Sequence, residues 1–168
     1  MGTLGAIWGL AGVLLLLTSA VYRLSVIAKA AFAYELLWRH WAVLLLCVFF
    51  MAYAEGYRAF QQRFSPRVAA RAKYLRGRPD MLHVILAPLF CMGFFHATRR
   101  RKITSFSVTA GIIVLIVLVR LLPQPWRGLV DLSVVIGLAW GIASVAYFGY
   151  RAFASEDFDY PPDVPDGK

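Results

Sequence analysis

The amino-acid sequence predicts an all-α integral membrane protein, a bundle of four to five transmembrane helices with a basic amphipathic interfacial helix. Three observations predict it. The 168-residue chain is 60% hydrophobic and only 16% charged, whereas soluble domains carry about a quarter charged residues. Apolar runs recur along it at close to the roughly 20 residues that cross a bilayer as a helix. The formal net charge of +9 is concentrated in clusters between those runs, as in the loops that flank membrane spans. Residues 1–154 read as a single helical domain and residues 155–168 as a separate tail.

Residues 3–22 contain no charged side chain, and Arg23 ends the run; this is the first predicted span. Residues 1–8 have no Lys or Arg, so the positive region of a cleaved signal peptide is missing and the first helix is expected to stay in the mature protein. Arg23, Lys29, Glu35 and Arg39 then alternate with apolar residues, the pattern of helix leaving and re-entering the membrane. Trp38 and Trp41 suit the headgroup level. The second span covers residues 38–57. Glu55 stands near its end, and Arg58 follows three residues later on the same α-helical face, a predicted ion pair.

Ser65 before Pro66 is a helix start, and Gly77 with Pro79 is the matching stop, giving a short helix over 66–76. Arg63, Arg67 and Arg71 recur every four residues, while Phe60, Phe64, Val68 and Leu75 occupy another face. That pattern predicts a helix lying in the interface, apolar side down and arginines toward phosphate.

Residues 81–98 make a poor span, since His83, Pro88, Gly93 and His96 interrupt them, and a re-entrant or membrane-lying segment is expected there. Residues 103–122 and 129–150 are clear spans by length. Pro123, Gln124 and Pro125 form the turn between them, and Arg120 and Asp131 are expected to pair across it. The final 14 residues contain five acids and three prolines, the composition of a disordered tail.

With four spans, the Arg and Lys residues of 58–78, those of 99–102, Arg151 and Lys168 make thirteen on one side, against Arg23, Lys29, Arg39 and Arg127 on the other. Five spans divide the charge almost evenly. The four-span arrangement therefore follows the excess of cytoplasmic positive charge better, and predicts both termini on the cytoplasmic side of a bacterial-type inner membrane.

Cys47 and Cys91 lie in apolar segments, where a thiol behaves as a small hydrophobe. Gly5 and Gly9, and Ser133, Gly137 and Gly141, recur at spacing four and form flat strips for close helix packing within the chain. His40, His83 and His96 are the possible haem ligands, because imidazoles from adjacent helices can hold a b-type haem. Their default reading is structural or interfacial, with no cofactor or metal expected. Met92 and His96 share a helix face beside Cys91, but Met and Cys are common gap-fillers in apolar helices.

The sequence shows no nucleophile with its base, no phosphate loop and no carboxylates at catalytic spacing. No nucleic-acid motif accompanies the positive charge. The expected function is that of a small polytopic accessory, assembly or scaffold component. It would bind anionic lipid, or an acidic membrane-protein subunit, through Arg63, Arg67, Arg71, Arg76, Arg99, Arg100, Arg101 and Lys102. The alternatives are a haem-binding electron carrier, and a lipid-headgroup enzyme using Glu55, Asp80 and His83.

Overall fold

Among the described residues, four helices are long and apolar enough to cross a membrane. They are seen in a computed structural model that describes residues 2–78, 80–155 and 158–164. Helix α1 (Gly2–Ala31) runs the length of the bundle. The chain turns and returns as α2 (Trp38–Met51), whose first turn is closed by the Leu37 N–H donating to His40 Nδ1 at 3.0 Å.

Helix α2 does not stop where its apolar run ends. It continues as a π-helical stretch (Ala52–Phe64) and then as α3 (Ser65–Gly77), one helix of 40 residues in all. The π register is seen where the Ser65 N–H donates to the carbonyl of Phe60, five residues back. Pro66 follows directly. In α register a proline there would lack the bond to residue 62 and crowd its carbonyl, and the widened turns have already displaced that bonding pattern.

The expected interfacial helix is thereby corrected. Residues 66–76 are helical, but they continue the preceding helix and are buried inside the protein at Pro66, Val68, Ala69, Ala70, Arg71, Ala72 and Leu75. The small alanines allow neighbouring elements to close around them, so Arg71 points into the fold while Arg63 stays exposed.

The third apolar segment forms no helix long enough to cross a membrane. It forms two short helices, α4 (Met81–Ile85) and α5 (Ala87–Met92), broken at Leu86, before Pro88 in the first turn of α5. Gly93 then takes φ +83, a left-handed conformation that glycine adopts without Cβ strain. Residues 81–96 thus form a hairpin whose far point is near Pro88, opposite Gly12, and whose return brings His96 to His83. Helix α6 (Arg99–Arg120) and helix α7 (Trp126–Ala154) complete the bundle.

Helices α1 and α7 are antiparallel, as Gly149 faces Leu10 while Gly128 faces Ala31. The core gathers Ala6 and Val13 of α1, Val68, Ala72 and Leu75 of α3, Ala87, Phe90 and Cys91 of α5, and Val145 of α7. Glycines on α1 let the hairpin approach. A Cβ on Gly9 would lie 2.7 Å from the Cys91 sulfur, and one on Gly12 would overlap Pro88. On α7, Gly137 accommodates Glu55 and Gly141 accommodates the Phe60 ring, so both small-residue strips pack within the chain.

The outer surface is apolar over long stretches, with Leu15, Leu46, Phe49, Ile113 and Val117 all exposed. Helix α6 buries only Arg101 and Ser105 near its start. The described part of the tail departs from the expected disorder. Phe158 is buried, and Val164 packs against the core. An aromatic ring and a branched side chain outweigh the acidic composition locally, while residues 156–157 and 165–168 lie outside the described residues.

Candidate functional site

The best-organised polar feature is built around one arginine. Arg71 is completely buried, and a guanidinium offers five N–H donors in a fixed fork. Its Nε donates to the Phe90 carbonyl at 2.6 Å. One terminal nitrogen donates to the carbonyls of Phe95 and His96, both at 3.0 Å. The other donates to the carbonyls of Pro162 at 2.9 Å and Asp163 at 3.5 Å. Its central carbon also lies 4.2 Å from the centre of the Phe90 ring.

These acceptors come from two segments. The Phe90 and Asp163 carbonyls also accept from the Gly93 and Thr98 N–H groups, whereas those of Phe95, His96 and Pro162 take their bond from Arg71. The hairpin leaves carbonyls without helical partners after Met92, and residues 158–164 have no regular structure. Arg71 therefore joins α3, the hairpin and the tail. His96 adopts φ +46 and Asp163 φ +49, conformations that are uncommon outside glycine and are held here by the converging bonds.

Two more arginines stand close by. Arg67 Nε lies 3.6 Å from Asp163 Oδ2. Arg101 is buried, Arg67 and Asp163 both act on it electrostatically, and its Nε has no hydrogen-bond partner among the described residues. The Thr98 N–H donates to the Asp163 carbonyl at 3.1 Å. Lys73 Nζ reaches the Phe158 carbonyl at 3.4 Å, fixing the tail further upstream.

The histidines divide between the two ends of the bundle. His40 sits at the far end, edge-on to Trp126 with ring centres 4.6 Å apart. His83 and His96 come together on the hairpin, their ring centres 4.5 Å apart. These two rings touch each other, whereas axial haem ligands face each other across a macrocycle. His83 Nδ1 is also 3.4 Å from Asp80 Oδ2. Burial first, then His96, pulls the His83 pKa below its ordinary value, with Asp80 opposing and Arg71 adding to the fall. Burial pushes the Cys91 thiol up to about 12, against the smaller effect of Arg71. Among the described residues, no group of three or more His, Cys, Asp or Glu side chains is placed to hold a metal ion.

Of the predicted basic residues, Arg76, Arg99, Arg100 and Lys102 are exposed at the end of the bundle that carries Gly2, and Arg78 joins them. Arg67 is half-buried, and Arg71 and Arg101 are buried. The predicted pair of Glu55 and Arg58 does not form among the described residues. In a π-helix, residues three apart no longer share a face, and Glu55 turns toward Gly137 while Arg58 stays exposed. Asp131 meets Arg127 at 3.8 Å rather than Arg120, because one helical turn on α7 brings that partner closer than the end of α6. Glu55 is thus separated from Asp80 and His83, and the three do not converge.

Asp163 and the buried role of Arg71 escaped the sequence reading. The every-fourth arginine spacing marked a face, but periodicity does not say whether that face meets solvent or protein. Compared with family models, with curated proteins and with solved structures, the chain matches none.

Proposed function

We propose that this chain is a multi-pass membrane protein of the accessory, assembly or scaffold type, whose basic end gathers anionic lipid. The observation that carries the reading is the grouping of exposed Arg76, Arg78, Arg99, Arg100 and Lys102 at one end of a bundle with apolar outer walls. In water those walls would far exceed the few hundred Å² of contiguous apolar surface that soluble monomers tolerate. In a bilayer they are solvated by lipid, and the basic end meets headgroups, where each Lys or Arg contributes on the order of 1 kcal/mol at an anionic surface. The hairpin supports the orientation, since it returns the chain to the end it left and keeps both basic clusters on one side. That side is then cytoplasmic, together with both termini, in a bacterial-type inner membrane.

The test is lipid enrichment. Protein in nanodiscs of mixed phosphatidylcholine and phosphatidylglycerol should concentrate the anionic lipid around itself. Changing Arg76, Arg78, Arg99, Arg100 and Lys102 together to Gln should remove that enrichment. An unchanged lipid shell would overturn the reading, and would favour an acidic protein partner if co-purification of that partner were lost instead.

A further inference from the structure

We propose that Arg67, Arg71 and Arg101 form a phosphate-binding site, which the chain's own C-terminal segment occupies through Asp163. The site deepens the lipid-binding reading and rests on it only for the source of the phosphate.

Arg67 and Arg71 meet Asp163, Arg101 stands close enough to feel both Arg67 and Asp163, and Asp163 is the carboxylate the three share among the described residues. Arg101 is the decisive member. It is 9% exposed, and its buried Nε has no hydrogen-bond partner among the described residues. An unmet buried donor on a charged group is costly, and an anion bringing several oxygens would satisfy it.

The segment now filling the site holds on loosely through the Asp163 side chain. The Arg67 to Asp163 pair is 3.6 Å long and about one-third exposed on both sides, a geometry that contributes little. Arg71 reaches the Asp163 carbonyl at the limit of hydrogen-bond distance, 3.5 Å. Upstream the segment is better secured, with Phe158 buried and Lys73 on its carbonyl. Displacement has to break the Thr98 bond to the Asp163 carbonyl and the Arg71 bond to Pro162 and to lift Val164 from the core, while Phe158 and Lys73 keep the upstream part tethered. That displacement frees both donors of one Arg71 terminal nitrogen, and the other three stay on the hairpin.

The freed donors match a phosphate. Arginine binds phosphate through parallel N–H bonds, and such charge-assisted bonds are roughly twice as strong as neutral ones. Arg71 now spends two of these donors on neutral carbonyls. The level in the bundle also fits a lipid. Arg101 stands two residues before Ile103, where the apolar run of α6 begins, which is headgroup depth if α6 crosses the bilayer. The segment acts as a tethered competitor that a lipid phosphate displaces.

The experiment is native mass spectrometry of the full-length protein titrated with phosphatidic acid, phosphatidylcholine or inorganic phosphate. One tightly retained phosphatidic acid per chain is expected, with no comparable phosphatidylcholine. Asp163→Asn weakens the competitor and should raise affinity roughly three- to fivefold, the scale of a part-exposed ion pair. Arg101→Gln should lower affinity by about tenfold, the scale of one charge-assisted hydrogen bond. Should Arg101→Gln fail to fold, Asp163→Asn decides alone, because removing a competitor must tighten binding. Unchanged affinity in Asp163→Asn overturns the proposal. Inorganic phosphate binding without phosphatidic acid overturns the lipid source and keeps the site. The fivefold surface variant of the preceding section should keep the single retained lipid even as it loses general enrichment, so the two readings fail separately.

Discussion

Arg71 donates to the backbone carbonyl of Phe90 at 2.6 Å and lies 4.2 Å from the centre of that residue's ring. A single hairpin residue thus receives the buried guanidinium through both its peptide and its side chain. Fixed dipoles and a ring face replace the hydration that the charge loses on burial. The pairing explains how the hairpin stays folded against α3 without a strand or a long helix of its own.

Replacing Arg71 with Met should therefore loosen the hairpin and the tail together. The Phe95 and His96 carbonyls lose their donor, while Phe90 keeps the Gly93 N–H, and each unmet buried acceptor costs about 1–3 kcal/mol before relaxation. A loss of about 3–5 kcal/mol is expected, on the order of 10 °C in melting temperature for a chain of this size. Arg71→Lys should fall between the two, because an ammonium keeps the charge but not the fork. Thermal melts in detergent, with amide exchange at residues 94–97, check this. A melt unchanged in both variants would remove Arg71 from its organising role.

Much of the bundle was legible in the sequence, because length and apolarity are local properties. The uncharged run ahead of Arg23 and the runs either side of Pro123 and Pro125 are long helices in the structure. Gly93 and Pro88 marked residues 81–98 as interrupted, and the structure breaks them into two short helices. What escaped depends on partners distant in sequence. Ser65 and Pro66 read as a helix start, since local rules take no account of a π-helical stretch just before them. Arg71 read as surface because Phe90, His96 and Pro162, which enclose it, lie 19 to 91 positions away. Phe158 was read with its acidic neighbours, although burial of one ring suffices to anchor the segment.

The contact of Glu55 with Gly137 can be tested by a double-mutant cycle. A Cβ on Gly137 would lie 2.9 Å from Glu55 Oε2 and 3.3 Å from Glu55 Cβ, so Gly137→Ala must push the side chain or the helix aside. Overpacking of this kind costs about 1–3 kcal/mol. Glu55→Ala opens the space, and in that background Gly137→Ala should be nearly neutral. Melting of the four proteins gives the coupling, with about 1 kcal/mol or more expected for residues in contact. Additive effects would place the two side chains apart.

His83 should make the hairpin acid-sensitive. Its folded pKa lies below the ordinary value of 6.5, chiefly through burial and then through His96. The unfolded chain therefore binds the proton more readily than the folded one, so stability rises with pH across this window. The contribution is complete above about 6.5 and is lost as pH falls through the lower folded value. His83→Phe keeps a ring against Phe90 and His96 without titrating. Melting temperature measured from pH 7.5 to 5 should fall more steeply for the native protein than for this variant. Parallel curves would show that another group controls the acid response.

The thiols and the topology can be read in one labelling experiment. Cys91 is buried among core residues, and burial pushes its thiol up to about 12, so it stays protonated and unreactive at pH 8. It should resist maleimide until the protein is denatured. With Cys47 and Cys91 replaced by Ala, single cysteines at the exposed positions Arg78 and Arg100 should label from the same side of sealed vesicles. The hairpin requires this result, because it begins and ends at one end of the bundle. A cysteine at Arg120, the last residue of α6, should label from the opposite side. Opposite-side labelling of positions 78 and 100 would mean that residues 81–98 cross the membrane, and would break the link between the two basic clusters on which the lipid-binding reading depends.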